Sequence, residues 1–164
     1  AEIYRICHKH EVLFIADEVM TGFGRTGHMF ACHEAGIRPA SLQVVDLTFP
    51  FDIKKQFDFV FADVPCSGSG TWGRTPEQLK YFKETQLNKY TELQAQIVQH
   101  LIPAIKLNGH LLFATCSVYE KENEQNVAAI LATGKFKLIS EQYFEGYKQK
   151  ADTLFGALLQ KIAH

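Results

Sequence analysis

Four short apolar runs each end on an acid or a cysteine, and this pattern limits the chain more than any other feature. Residues 12–16 (VLFIA) run into Asp17-Glu18, and Leu42–Val45 into Asp46. Residues 57–62 (FDFVFA) run into Asp63, and residues 110–115 (HLLFAT) into Cys116. Runs of this length read as buried strands. The stretches between the later ones carry helical spacing, with Leu87, Tyr90, Leu93, Ile97, Val98, Leu101, Ile102 and Ile105 at i, i+3, i+4 positions. Strands separated by helices predict an α/β fold with a mainly parallel sheet. Ligands of such sheets sit beyond the carboxyl ends of the strands, where these acids and cysteines fall.

Further expectations follow element by element. Residues 2–10 read as a short helix or its tail, and His28–Ala35 as a second. The longest helix is predicted over 85–106, with Pro103 kinking its last turn and Asn108-Gly109 as the stop. A helix over 121–132, a short strand over 136–140 and a last strand over Phe155–Leu159 complete the pattern. The loop Pro65-Cys66-Ser67-Gly68-Ser69-Gly70 lies between the third strand and the long helix.

Composition narrows the function classes. At 164 residues and 46% apolar the chain has the length of one domain and enough apolar mass for a core. Its net charge of −1 gives no global basic field, so any nucleic-acid contact has to come from a local patch. No apolar run approaches the roughly 18 residues of a membrane helix, and no secretory signal pattern is visible. The first residue is Ala1, not Met, which leaves room for sequence upstream. The four cysteines, Cys7, Cys32, Cys66 and Cys116, form no C-x-x-C pair, and a reducing, cytoplasmic setting is expected. Cys7, His8, His10, His28, Cys32 and His33 match no standard finger spacing, so no metal is expected.

Cys66 and Cys116 each follow an apolar strand and each precedes a serine. An isolated cysteine is usually a small buried apolar residue, but two at one sheet edge point to chemistry. Asp63-Val64-Pro65-Cys66-Ser67-Gly68 and Ala114-Thr115-Cys116-Ser117 resemble the two cysteine motifs of the RsmB/Sun-type RNA cytosine-5 methyltransferases. The likeness extends to Gly70-Thr71-Trp72, Arg74, Pro76, Leu93-Gln94, Leu107-Asn108-Gly109, Glu122-Asn123-Glu124 and the ending Asp152-Thr153-Leu154-Phe155, which resembles the family's last hairpin. It covers about residues 41–164.

The resemblance implies a Rossmann-like methyltransferase sheet and an S-adenosylmethionine-dependent reaction on RNA, ribosomal RNA by family. It assigns Cys116 as the nucleophile that adds to cytosine C6 and makes C5 able to take a methyl group. It assigns Cys66 to releasing the product adduct and Asp63 to the cytosine edge. Asp46 and Pro65 fall at the cofactor, although Asp46 reads equally well as a turn residue. Trp72, Arg74 and Lys80 would meet RNA. Residues 71–89 hold Arg74, Lys80, Lys83 and Lys89 against Glu77 and Glu84, with Trp72, Tyr81 and Phe82 interleaved. That suits stacking with phosphate contacts, or an ordinary solvated helix face. The family usually has Arg and Asn where this chain has Gly73 and Thr75.

Residues 1–40 depart from that family. Its glycine-rich cofactor loop, of the type Ala-Pro-Gly-Gly-Lys-Thr, and the strand before it are missing from the sequence. Instead VLFIADEVMTGFGRTGHMF, residues 12–30, resembles the class III aminotransferases. There Asp17 would pair with the pyridinium nitrogen of pyridoxal phosphate and Val19 would pack on the ring. No Schiff-base lysine motif follows and no upstream phosphate site precedes, so pyridoxal phosphate is not expected. GFGRTG is no Walker loop either, since no G-K-[ST] follows. The chain reads as a chimera or fusion, 1–40 aminotransferase-like and 41–164 the methyltransferase catalytic portion. By analogy alone, Asp17 or Glu18 would then take the place of the acid that binds the cofactor ribose. Two other readings stand beside the enzyme: a non-catalytic α/β module without cofactor binding, and an aminotransferase fragment. Loss of the glycine-rich turn predicts weak methyl-donor binding.

Overall fold

The computed structural model describes residues 5, 6, 9, 10, 45–52 and 55–164. The chain divides into two compact units, Ala1–Val44 and Val45–His164. In the first, Arg5, Ile6 and Lys9 are helical, and His10 N donates to Ile6 O at 3.1 Å, as expected for residues 2–10. The expected strand 12–16, the glycine loop, helix 28–35, the Cys/His group other than His10, and Asp17 and Glu18 lie outside the described residues.

The second unit begins with a turn. Val45 and Asp46, expected at the end of a strand, belong to no element. Asp46 Oδ1 accepts from Thr48 N at 2.9 Å and Thr48 Oγ1 at 2.6 Å, which closes an Asx turn. His100 Nδ1 donates to Leu47 O at 2.9 Å, tying this turn to the long helix.

Then come β1 (Phe57–Asp63), the one-turn helix α1 (Gln78–Tyr81) and α2 (Thr85–Leu101). After them come β2 (Ile105–Thr115), α3 (Glu124–Ala132), β3 (Phe136–Glu145) and β4 (Thr153–Lys161). Among the described residues the sheet order is β1-β2-β4-β3. β1 and β2 are parallel, and both pairs involving β4 are antiparallel. The α/β class holds, and this part of the sheet is mixed. The connection between β3 and β4 is too short for the crossover that parallel strands require, so the two form a hairpin.

α2 buries Leu87, Gln94, Ile97 and Val98 along one stripe. It ends at Leu101, not 106, because Pro103 has no N–H to give and its ring collides with the carbonyl four residues back. Ile102–Ala104 form a 3-10 turn, and Ile105 already starts β2. The expected stop at Asn108-Gly109 is an irregularity inside β2: pairing jumps from Phe57↔Ile105 to Phe59↔His110. Asn108 takes a left-handed φ of 64° there. A side chain on Gly109 would meet Lys106 O at 2.9 Å and Asp58 O at 3.1 Å, so only glycine fits.

From Gly109 onward burial alternates strictly, and Leu111 and Phe113 are fully buried. They meet Val98 of α2, Val127 and Ile130 of α3, and Phe155, Ala157 and Leu159 of β4 in one core. Each such apolar side chain contributes about 1.5–3 kcal/mol. This core fixes where the carboxyl ends of β1 and β2 lie, side by side.

Candidate active site

The loop after β1 is shaped by two glycines with different tasks. Val64 N continues the ladder to Ala114 O at 3.2 Å. Gly68 turns the chain at φ 70° into the 3-10 turn Ser69–Thr71. Gly70 N then donates to Cys116 O at 2.8 Å. A side chain on Gly70 would stand 2.0 Å from Thr153 O and 2.9 Å from Cys116 O. Only a residue without Cβ lets the loop pass between the end of β2 and the start of β4.

This passage brings Cys66 Sγ to 3.4 Å from Cys116 Sγ, both half-buried. Parallel pairing of β1 and β2 places Asp63 opposite Ala114, two residues before Cys116, with its side chain exposed. The expectation that both cysteines and Asp63 gather at one sheet edge is met. The Cys116 thiol is pulled down to about 7, chiefly by the hydrogen bond from Cys66. Burial and the negative charges of Asp63 and Asp152 push the other way and only limit the effect. Cys66 is driven up, first by the same contact with Cys116 and then by burial. The opposite directions of the two shifts make Cys116 the more acidic sulfur of the pair.

Behind the sulfurs lies a buried polar network that the sequence reading did not assemble. Glu122 is fully buried. Its Oε1 accepts from Ser67 N at 2.7 Å, and its Oε2 accepts from Ser67 Oγ at 2.6 Å and Ser117 Oγ at 2.5 Å. Gln94, from the middle of α2, donates to Pro65 O at 2.8 Å and accepts from Asn126 Nδ2. Asn123 accepts from Thr115 Oγ1 at 2.5 Å and donates to Ser117 O at 2.9 Å and to the Tyr143 hydroxyl at 3.0 Å. Among the described residues no buried side-chain nitrogen or oxygen lacks a partner. One signal was present in the sequence: Gln94 is a polar residue on an otherwise apolar helical stripe.

The residues expected at RNA are placed less openly. The Trp72 ring packs against Phe82 (centroids 4.9 Å apart) and, edge-on, against Tyr119, while Phe82 and Tyr119 stack at 5.5 Å. A cavity of about 120 Å³, lined by Ser67, Trp72, Tyr81, Phe82 and Tyr90 among others, opens beside the cysteine loop. Arg74 is engaged: Nε reaches Asp152 Oδ1 at 2.8 Å and Nη2 reaches Oδ2 at 2.7 Å. Lys80 is exposed, with Nζ 5.9 Å from the Tyr81 ring centroid. A larger cavity of about 560 Å³ lies between α2 and α3, and neither cysteine lines it.

Of the residues expected at the cofactor, Asp46 and Pro65 are described. The Asp46 carboxyl is held below the usual range by Thr48, whose two bonds both fall on Oδ1. The carbonyl of Pro65 accepts from Gln94 Nε2 at 2.8 Å, which fixes the start of the cysteine loop against α2. What these two positions offer a ligand is the exposed Asp46 carboxyl. The described residues include no cluster of three or more His, Cys, Asp or Glu side chains suited to a metal, and no helix long and apolar enough to cross a membrane.

A Rossmann-like sheet whose two adjacent parallel strands end in paired cysteines defines a class. The family model "16S rRNA methyltransferase RsmB/F" matches residues 26–160, and the chain belongs to that family. A class III aminotransferase model matches residues 1–44, so the two matches overlap over 26–44. The ribosomal RNA small subunit methyltransferase B of Enterobacter sp. (strain 638) is 38% identical over 77 residues, 47% of this chain and 18% of that protein. Its counterpart in Yersinia pseudotuberculosis serotype O:1b is 35% identical over the same length. The match spans about a fifth of the length of these curated relatives. NSun6 from Pyrococcus horikoshii, solved with SFG, shares the fold at a TM-score of 0.70 and 20% identity, over 80% of this chain and 37% of that one.

Proposed function

We propose that this chain is the catalytic-domain portion of an S-adenosylmethionine-dependent ribosomal RNA cytosine-5 methyltransferase with Cys116 as nucleophile. The observation that carries the reading is the 3.4 Å sulfur pair at the ends of β1 and β2, in which Cys116 is the more acidic sulfur. A target cytosine outside its stack offers C6 to the Cys116 thiolate. Addition forms an S–C6 bond and breaks the C5–C6 π bond, whose electron pair passes to C5 and is shared towards C4 and N3, so that C5 becomes nucleophilic. The bound cofactor supplies the methyl group, and Asp46 is the described residue that would hold its adenosine end. Asp63, exposed at the end of β1, takes the cytosine edge.

The pair also accounts for release. While Cys116 is a thiolate, Cys66 keeps its proton. Once Cys116 is a neutral thioether that hold disappears, and Cys66 gives its proton to solvent through its half-exposed side. As a thiolate it takes the proton from methylated C5. The electrons left behind re-form the C5–C6 double bond, the S–C6 bond breaks, and Cys116 leaves as a thiolate again. Ribosomal RNA is the substrate class carried by the family and the curated relatives.

The test is covalent trapping of RNA containing 5-fluorocytosine at millimolar S-adenosylmethionine, read as a shifted protein band. Wild type and Cys66→Ala should give the adduct and Cys116→Ala should not. An adduct that survives Cys116→Ala reverses the two roles, and no adduct with wild type removes the catalytic reading. Calorimetry with millimolar S-adenosylmethionine tests donor binding by the chain itself: saturable heat supports the enzyme, and no heat supports a folded module without catalysis.

A further inference from the structure

We propose that Glu122 is a positioning residue, a buried carboxylate that clamps the serine following each cysteine and so sets the spacing and pairing of the two sulfurs. Ser67 follows Cys66 and Ser117 follows Cys116, and both hydroxyls end on Glu122 Oε2. Oε1 takes the backbone N–H of Ser67 at 2.7 Å and, more distantly, Gln94 Nε2 at 3.5 Å. The two cysteines lie 50 residues apart in sequence, and Glu122 ties their loops together beside Gly70 N, which donates to Cys116 O at 2.8 Å, and Ser69 Oγ, which accepts from Val118 N at 2.9 Å. Among the described residues the partners of Glu122 are Ser67, Ser117 and Gln94, none of them cationic. A buried carboxylate without a cation is a costly way to fill a core, and apolar residues would do it at lower cost. What it offers instead is a pair of acceptor oxygens on which four donors converge from fixed directions. The proposal draws its catalytic meaning from the reading of Cys116 as nucleophile, but its test requires neither RNA nor methyl donor.

The clamp needs an acceptor at every contact. Glu122→Gln keeps the volume but turns one oxygen into an NH2 group. Facing Ser67 N it meets a second donor. Facing the hydroxyls it competes with Tyr119 N, which already donates to Ser117 Oγ at 3.0 Å, and with Ser69 N on Ser67 Oγ. Either way the loops part and the sulfur contact lengthens. Cys116 then loses donor support and ionises at higher pH.

The experiment follows iodoacetamide alkylation of the Cys116 peptide against pH, with circular dichroism as a fold control. In wild type the rate should turn up near pH 7. In Glu122→Gln the inflection should rise, and the rate at about pH 6.5 should fall roughly threefold for a displacement of about one pH unit. The sign is decisive. If Glu122 acted through its charge alone, removing it would favour the thiolate and the inflection would fall. In a Cys66→Ala background Glu122→Gln should add nothing, because the contact it supports is gone. Should Glu122→Gln not fold, Ser117→Ala removes one of the four contacts and should move the inflection the same way, by less. An inflection that stays or falls in the folded variant, or an equal effect with and without Cys66, overturns the proposal. Adduct formation with an unchanged alkylation profile would overturn the clamp and leave the functional reading intact.

Discussion

Replacing Cys66 by alanine should make Cys116 slower near neutrality and faster in alkali. Cys66 is the first cause of the low Cys116 value, so its loss should return Cys116 from about 7 to its ordinary 9.0 or, with burial still acting, above it. At about pH 7.4 the thiolate fraction then drops from roughly 70% to 2–3%. The thiolate that remains is intrinsically more nucleophilic. With a Brønsted slope of about 0.4–0.5, raising the pKa by about two makes it roughly six to ten times more reactive. The net expectation is alkylation at least three- to fivefold slower at about pH 7.4, and roughly six- to tenfold faster at about pH 10.5. The two profiles cross, which simple loss of accessibility cannot produce. Rates are read on the Cys116 peptide by mass spectrometry, so Cys7 and Cys32 do not interfere. An inflection still near 7 in Cys66→Ala would refute the assignment of Cys66 as donor.

Two further substitutions test the frame around the pair. Gly70→Ala forces a methyl group against two backbone carbonyls, Thr153 O and Cys116 O, neither of which is free to swing away. It should cost about 1–3 kcal/mol or more in denaturant unfolding, and unchanged stability would mean the loop is not pinched as described. Lys161 is almost fully buried, and its Nζ donates to Ile102 O at 3.0 Å and Ile105 O at 2.8 Å. Lys161→Met should destabilise by about 1–3 kcal/mol by removing the donor both carbonyls share. Burial, helped by Lys135, holds the Lys161 amine below its ordinary 10.5. The folded protein therefore releases this proton at lower pH than the unfolded chain. Its desolvation penalty is full below the folded value and fades as pH rises towards 10.5. The stability difference between wild type and Lys161→Met should widen over that alkaline window, and a gap that narrows would reverse the sign argued for Lys161.

The sequence carried the strands and both long helices because their apolar spacing is local. β1, β2 and β4 were legible as apolar runs, and α2 and α3 as helical stripes. The errors fall where local pattern yields to something else. Pro103 reads as a kink, but a 3-10 turn takes over and the strand begins at once. β3 runs five residues beyond the expected 140: Glu141, Gln142, Phe144 and Glu145 are exposed, so the segment has no buried apolar run, and pairing with β4 makes it strand. The site divides in the same way. Each cysteine announced itself by its place after a strand. Glu122 stood out only as part of a matching motif, because its contact with Ser67, 55 residues away, is one that no window along the chain can display.

The release half of the cycle makes a claim that Cys66 alone can test. In the resting pair Cys66 is held protonated first by the Cys116 thiolate and second by burial. If the first cause dominates, any change that leaves position 116 without a negative sulfur should awaken Cys66. In Cys116→Ala only burial opposes ionisation, so Cys66 should alkylate measurably at about pH 9, where a thiol near its usual range is substantially ionised. In wild type at the same pH, Cys66 labelling should lag, following the capping of Cys116 as a thioether, and the first labelled species should carry its label on Cys116 alone. Time-resolved peptide mapping distinguishes the orders. Equal Cys66 rates in wild type and Cys116→Ala would mean that burial governs Cys66, and that forming the substrate adduct does nothing to ready it as a base. First labelling at Cys66 in wild type would invert the pair and with it the division between nucleophile and releasing group.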